Sequence, residues 1–281
     1  MLKLIDGIVE LYKKAATSLP PDVESVIIDS ANKEEANSSS SNSLKIIGEN
    51  IRMSRREMTP ICQDTGIPIF FVQVPKGVSQ REIKDIIYDA TRKATDVIPL
   101  RPNAVDPVSG INSGNNTGEG FPVIYFDESE NDTLRIDLIL KGGGSENIGM
   151  TYKLPDKRLN AQRNLDGVRK CVIDAVFNAQ GRACPPYIVG VGIGATKDQV
   201  ALLSKKQLLR KINDRNISDD LAALESSLTE ETNRLGIGPM GFGGVTTVLG
   251  VKAASNHRHP ATYLVDVSFS CWASRRGTLL W

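Results

Sequence analysis

A chain of 281 residues with 40% hydrophobic side chains can bury a sizeable core, enough for one large domain or two closely joined lobes. Its 34 basic and 33 acidic side chains are interspersed and leave a formal charge of +1, which excludes a basic nucleic-acid stripe and an acidic tail. No uncharged apolar run approaches the roughly 20 residues of a membrane-spanning helix, and the first residues lack a signal peptide's long apolar segment and cleavage site; a soluble, cytoplasmic protein is expected.

Apolar residues at Leu4, Ile5, Ile8, Val9, Tyr12 and Ala16, with lysines between, predict a helix over residues 1–16. The break Leu19-Pro20-Pro21-Asp22 opens a second helix with Val23, Val26 and Ile27 inward. Residues 38–43 read as a polar serine loop ending in a helix cap, followed by Leu44, Ile47 and Ile51 on one face. Residues 67–74 read as a strand that leaves through Pro75-Lys76-Gly77. Ser79 with Glu82 then makes a capping box, and Val78 can staple onto Ile83 to start a helix over about 80–94. Residues 101–120, rich in Asn, Gly, Ser and Pro, form a long loop of the kind kept for function.

Strands follow at 123–126 and 134–140, the second running into Lys141-Gly142-Gly143-Gly144-Ser145. A helix over 165–180 ends at Gly181. Residues 187–191 read as a strand that enters a glycine turn, Gly192-Ile193-Gly194-Ala195, with Thr196 and Gln199 as a second capping box. A helix over 219–233, a glycine-rich loop over 236–244 and a strand over 262–270 complete the series. Helices and strands interleave, so the expected fold is mixed α/β (α+β). It is read as one domain over 1–281, with a helical part over 1–58 and a core over 59–281 that surrounds the site.

Four cysteines, Cys62, Cys171, Cys184 and Cys271, lie far apart, and disulfides are not expected in the cytoplasm. The histidines His257 and His259 share one segment, so a two-cysteine, two-histidine zinc finger is absent. Cys62 (Pro60-Ile61-Cys62-Gln63-Asp64-Thr65-Gly66), Cys184 (Gly181-Arg182-Ala183-Cys184-Pro185-Pro186) and Cys271 (Ser270-Cys271-Trp272-Ala273) sit at element ends flanked by turn formers. Cys171 lies mid-helix beside Val168, Val172 and Val176 and reads as a core thiol. Three thiolates suit zinc, or an iron–sulfur cluster with one iron left without a cysteine. Such an iron is a Lewis acid able to take up the charge of departing hydroxide. The glycine runs offer amide donors to sulfides or carboxylates, or are ordinary tight turns.

Taken in order, the Cys62 motif, Asn116-Thr117-Gly118, Lys141-Gly142-Gly143-Gly144-Ser145, Gly238-Pro239-Met240-Gly241-Phe242-Gly243-Gly244 and His257-Arg258-His259-Pro260-Ala261 up to Cys271-Trp272-Ala273 resemble the iron–sulfur class I fumarate hydratase and tartrate dehydratase family. The resemblance covers about 55–276 and is to the alpha subunit, or the N-terminal domain of single-chain members. It implies an oxygen-sensitive [4Fe–4S] cluster on Cys62, Cys184 and Cys271, catalytic roles for Asp64 and His259, and substrate contacts at Gln63, Arg101 and Gly143. It also implies a small dicarboxylate substrate, fumarate and malate first and L(+)-tartrate as the alternative. The family's base lies on a C-terminal half that this sequence does not contain, so a separately encoded beta subunit and an alpha2–beta2 assembly are expected. Arg101 can grip a carboxylate with its planar fork, and amides and cations matter most where proton removal builds charge on a carboxylate. Two rivals stand further off. Residues 187–194 resemble a dinucleotide-binding strand and turn of an NAD-dependent dehydrogenase but lack the third glycine, and a zinc-stabilised scaffold without chemistry would also use three thiolates.

Overall fold

The structure is a computed structural model that describes residues 2–281; Met1, the first residue of the predicted N-terminal helix, lies outside the described residues. Helices α1 (Leu2–Thr17), α2 (Pro21–Ala31) and α3 (Ser39–Glu57) precede strand β1 (Ile67–Val74) and helix α4 (Gln80–Val97). Strands β2 (Val123–Glu128) and β3 (Arg135–Lys141), the short helix α5 (Gly143–Asn147) and strand β4 (Met150–Lys153) follow. Next come α6 (Leu165–Ala179), β5 (Tyr187–Gly194), α7 (Lys197–Gln207) and α8 (Asp219–Asn233). A 3₁₀ turn (Pro239–Gly241) leads to β6 (Val248–Ser255), β7 (Leu264–Ser270) and β8 (Arg275–Leu280). The mixed α/β class expected from the interleaving is what the chain adopts.

The chain divides into two compact units. The first comprises the residues up to Pro20, Glu49–Gly143 and Ala273–Trp281; the second comprises Pro21–Gly48 and Gly144–Trp272. In the first unit the sheet order is β2-β1-β3-β8, with β1 parallel to β2 and β3 antiparallel to both β1 and β8. Phe70, Val72 and Val74 alternate along β1 and join Ile136, Leu138 and Leu140 of β3 in one core with Ile8 and Tyr12 of α1 and Ile87 and Ala90 of α4. Each fully buried Ile, Leu or Phe there stabilises the unit by about 1.5–3 kcal/mol relative to exposure. Tyr12 meets Phe70 edge-on, and its hydroxyl is hydrogen-bonded to Thr91 Oγ1 at 2.8 Å, so the buried polar tip is satisfied.

In the second unit the order is β4-β7-β5-β6. The odd positions of β5, Tyr187, Val189, Val191 and Ile193, pack with Val172 and Val176 of α6 and Leu224 and Leu228 of α8. The even positions from 190 onward carry glycines because α7 lies against them. A Cβ on Gly190 would stand 2.1 Å from the Ser204 carbonyl oxygen, and one on Gly192 would stand 2.3 Å from that of Val200. The glycines read as a turn after 191 therefore continue the strand to Gly194, and they serve helix–strand packing. The dinucleotide fingerprint loses its turn with them.

Other departures have local causes. The serine run is not a loop: α3 starts at Ser39, because Ser38 Oγ accepts the Ser41 N–H at 3.1 Å and caps the helix early. Gln180, at φ 47°, takes the left-handed position expected of Gly181. Thr196 makes no side-chain cap; Gln199 Oε1 instead accepts the Ala195 N–H at 2.9 Å. Ser79 caps α4 as expected, accepting from Glu82 N at 3.3 Å. Strands β4, β6 and β8 escape the sequence pattern because they are short, non-alternating or begin on arginine. Among the described residues no helix is long and apolar enough to cross a membrane.

Candidate active site

In the first unit the half-buried Cys62 stands on the link from α3 to β1. That link is tied down on its N-terminal side, where Ile61 N donates to Ala16 O and Asn50 Nδ2 donates to Ile61 O, both at 2.9 Å. After Cys62 the chain makes a turn around the Asp64 carboxylate. Oδ1 accepts the Gly66 N–H at 3.0 Å and Oδ2 accepts the Gly143 N–H at 2.7 Å. Gly66 sits at φ +91°, and a Cβ there would stand 2.7 Å from the Leu140 carbonyl carbon, so no other residue fits. Arg275 Nη1 donates to the Asp64 carbonyl oxygen.

Thr65, next in line, reaches the long loop. Its Oγ1 accepts the Arg101 N–H at 3.1 Å and donates to Arg101 O at 3.4 Å. Asn116, buried at φ 58°, donates through Nδ2 to Arg101 O and to Thr95 Oγ1, both at 3.0 Å, and accepts Asn103 N–H at 2.6 Å. Asn103 Nδ2 closes the ring on Gly66 O at 3.1 Å. The Arg101 backbone is thus held while its side chain is exposed, as is that of Gln63. Hydrogen bonds within this unit bring together the Cys62–Gln63–Asp64 turn, Arg101 and Gly143. The Gly143 N–H is engaged by Asp64, and nothing but Asp64 Oδ2 comes within 4 Å of a Cβ built there.

In the second unit Cys184 precedes β5 and Cys271 follows β7. These strands are antiparallel with Ile188 opposite Ser270, so both cysteines lie at one end of the sheet. Trp272 N donates to Cys184 O at 3.3 Å, joining the two loops. Cys184 is exposed and left-handed, at φ 56°. Its turn is anchored by Tyr187, whose hydroxyl donates to Gln180 O at 2.6 Å and accepts Ala183 N–H at 3.4 Å. Burial pushes the Tyr187 phenol up to about 12, and negative charge at the neighbouring Cys184 and Cys271 acts in the same direction. Cys171 is different. It is fully buried in the α6 core, and burial, with Asp156 and Asp174 adding, pushes its thiol up to about 12.

His259 belongs to the exposed link between β6 and β7. Its Nδ1 accepts the Ala261 N–H at 3.1 Å, which places the proton of the neutral ring on Nε2, and Arg258 folds the link back by donating to the carbonyls of His259, Pro260 and Thr262. The link enters β7 at Leu264, opposite Gly194, so it leaves the sheet at the end away from Cys271, a strand length of roughly 20 Å. The structure does not join His259 to the cysteine pair. Among the described residues no three His, Cys, Asp or Glu side chains are assembled as a metal site. Cys62, Cys184 and Cys271 form no disulfide and are at least partly accessible, and as a soft all-sulfur donor set they suit an iron–sulfur group.

Sequence reasoning missed several supports. Thr65, Asn103 and Tyr187 act through backbone hydrogen bonds that no spacing reveals. Glu34, after α2, is buried and accepts from Val245 N at 3.0 Å and Thr246 N at 2.9 Å, which fixes the end of the second glycine-rich loop. Asn116 carried a signal, the Asn-Thr-Gly motif, but its reach to Arg101 was not legible.

The profile of the fumarate hydratase (Fumerase) family matches residues 5–279. A protein described as a class I fumarate hydratase from Geobacillus stearothermophilus is 45% identical over 279 residues, covering 98% of this chain and 54% of that protein. This chain therefore spans about half the length of that relative. A protein described as an L(+)-tartrate dehydratase subunit alpha from Methanocaldococcus jannaschii is 40% identical over 280 residues, covering 98% of this chain and 96% of that one. The L(+)-tartrate dehydratase subunit alpha of Escherichia coli K12 is 42% identical over 223 residues, 79% of this chain and 72% of that one.

Proposed function

Since this chain belongs to the fumarate hydratase (Fumerase) family, we propose that it is the cluster-bearing part of a hydro-lyase that interconverts fumarate and (S)-malate. The observation that carries the reading is the anchored turn in which the free thiol of Cys62 stands two residues before a carboxylate held by two main-chain donors. The exposed, left-handed Cys184, joined to the Cys271 loop, supports it.

In this proposal Cys62, Cys184 and Cys271 hold a [4Fe–4S] cluster in the cytoplasm. When bound, the cluster supplies Lewis acidity toward the hydroxyl that leaves or adds. Arg101 grips one carboxylate of the substrate, and its fixed backbone reduces the entropy lost in doing so. Gln63, exposed beside Cys62, adds amide donors and an acceptor. Gly143 leaves room for substrate beside Asp64. Asp64 holds or releases a proton at Oδ1 or Oδ2, each of which has a lone pair left after its main-chain hydrogen bond. The sequence-based donor role of His259 would use Nε2, the nitrogen its own loop leaves unused, and requires that loop to reach the substrate from the sheet end away from Cys271.

A second reading, L(+)-tartrate dehydration, is favoured by the relatives from M. jannaschii and E. coli, both described as L(+)-tartrate dehydratase alpha subunits. The alpha-subunit descriptions of these two relatives support a separate beta subunit, and in this proposal that subunit supplies the base within an alpha2–beta2 assembly. The test is anaerobic reconstitution with iron and sulfide, with and without the partner chain, followed by assay on fumarate, (S)-malate and L(+)-tartrate. Turnover of one substrate, dependent on both cluster and partner, is the expected result. Turnover without iron and sulfide would overturn the cluster assignment, and turnover by the loaded chain alone would overturn the partner.

A further inference from the structure

Among the described residues, the buried carboxylates Glu34 and Asp266 are held by main-chain N–H or hydroxyl donors, and several other buried or half-buried charges form ion pairs. Lys252 meets Asp214 at 2.7 Å, and Arg210 meets Glu225 at 2.6 Å. Arg275, 1% exposed, has no ion pair among the described residues, and its Nε has no hydrogen-bond partner. Its Nη1 donates to the carbonyl of Asp64, two residues after Cys62. The Asp64 carboxylate itself is turned toward Gly66 and Gly143. A guanidinium cannot shed its proton in a protein, and burying such a charge without an anion costs several kcal/mol. A buried cation kept beside a cysteine turn has a physical reason if an anion is bound at that turn.

We propose that Arg275 is the counter-cation for an anionic iron–sulfur group held at the Cys62 turn. The inference rests on the function proposed above. A [4Fe–4S]²⁺ core with three thiolates carries a net charge of −1, and reduction by one electron makes it −2. A fixed cation nearby therefore favours binding of the cluster and, more strongly, its reduced form. Asp64 is a positioned neighbour in this arrangement, since the same guanidinium holds its backbone.

The experiment compares the parent chain with Arg275→Met and Arg275→Lys, each melted free of cluster and then loaded anaerobically. Iron and sulfide content and the cluster reduction potential are read. Arg275→Met is expected to melt no lower than the parent when cluster-free, because a buried unpaired charge has been removed. Once loaded, it is expected to lose at least half its cluster to a chelator while the parent retains it, and to shift to a lower potential. Arg275→Lys, which keeps the charge, is expected to hold the parent potential. If Arg275→Met melts well below the parent when cluster-free, Arg275 is a structural anchor and the proposal falls. It also falls if loaded Arg275→Met keeps the parent potential, or if Arg275→Lys drops as far as Arg275→Met. A parent chain that takes up no iron and sulfide would instead sink the proposed function.

Discussion

Replacing Asp64 with asparagine separates anchoring from chemistry at the proposed site. The carboxylate accepts two main-chain N–H groups, from Gly143 at 2.7 Å and Gly66 at 3.0 Å. An asparagine offers one carbonyl oxygen and one NH₂, so one of those donors would face another donor. Leaving a half-buried N–H unsatisfied costs about 1–3 kcal/mol, and losing the charge-assisted character of the other bond adds to it. If Asp64 only shapes the turn, that figure bounds the effect, and Asp64→Glu, with the same charge, would recover part of it. If Asp64 also holds or moves a proton, its loss removes a further factor of roughly 10²–10⁴ in rate, or about 2.7–5.4 kcal/mol at the transition state. The assays are thermal unfolding of the cluster-free chain and steady-state hydration of fumarate by the loaded chain with its partner. Expected for Asp64→Asn is a modest fall in melting temperature with a loss of rate beyond a hundredfold at full iron content. Kinetics within threefold of the parent would refute the catalytic role and leave Asp64 as a turn cap.

Three further outcomes are expected. Cys62→Ser, Cys184→Ser and Cys271→Ser each abolish the brown cluster absorbance, whereas Cys171→Ser, in the α6 core, retains it; the reverse pattern would overturn the ligand assignment. Arg101→Lys keeps the charge and loses the planar fork, lowering kcat/KM at least tenfold, on the order of 1.4 kcal/mol, with the cluster intact; unchanged kinetics would remove Arg101 from the site. The Arg158 guanidinium, bonded to both oxygens of Asp174 at 2.8 Å, holds that carboxyl below its usual range. A depressed folded-state pKa contributes stability that is present above the unfolded value of about 4 and is lost as pH falls through the folded one, so Asp174→Asn is expected to flatten the acid limb of melting temperature against pH below about pH 4.

The parts of the fold legible in the sequence are those whose pattern is local. The α1 and α8 helices announce themselves by apolar spacing, and β1 by an apolar run with a Pro-Lys-Gly exit. Where partners are distant in sequence, the local signal misleads. The Gly190, Gly192 and Gly194 series looks like a nucleotide turn until α7 is laid on the strand, when the missing side chains prove to be the space occupied by its backbone at Gly190 and Gly192 and by its Gln199 and Val200 side chains at Gly194. The serine run likewise looks like a loop, because serine is a poor helix former, yet Ser38 supplies the cap that lets the helix begin at Ser39. Strand β8 carries two arginines at its start, and nothing local predicts that the first of them would be buried beside Leu140.

At the candidate site the reactive groups were legible and their supports were not. Cysteines flanked by turn formers stand out by residue type, and so do an aspartate and an arginine in recognisable motifs. What makes them usable is a set of main-chain hydrogen bonds across long separations: Asp64 to Gly143, Thr65 to Arg101 and Tyr187 to Gln180. Such bonds depend on backbone direction, which spacing does not encode. The same reasoning explains why the three cysteines appeared equivalent in sequence and are not equivalent in structure. Cys62 sits in a turn closed by a carboxylate, whereas Cys184 is held in a left-handed conformation that its neighbours must stabilise. A non-glycine residue held there costs of order 1 kcal/mol or more, and it persists where the surrounding structure over-determines it. Here Tyr187, Met240 N on Pro185 O and Trp272 N on Cys184 O over-determine it, leaving the Cys184 thiol exposed at the sheet end it shares with Cys271.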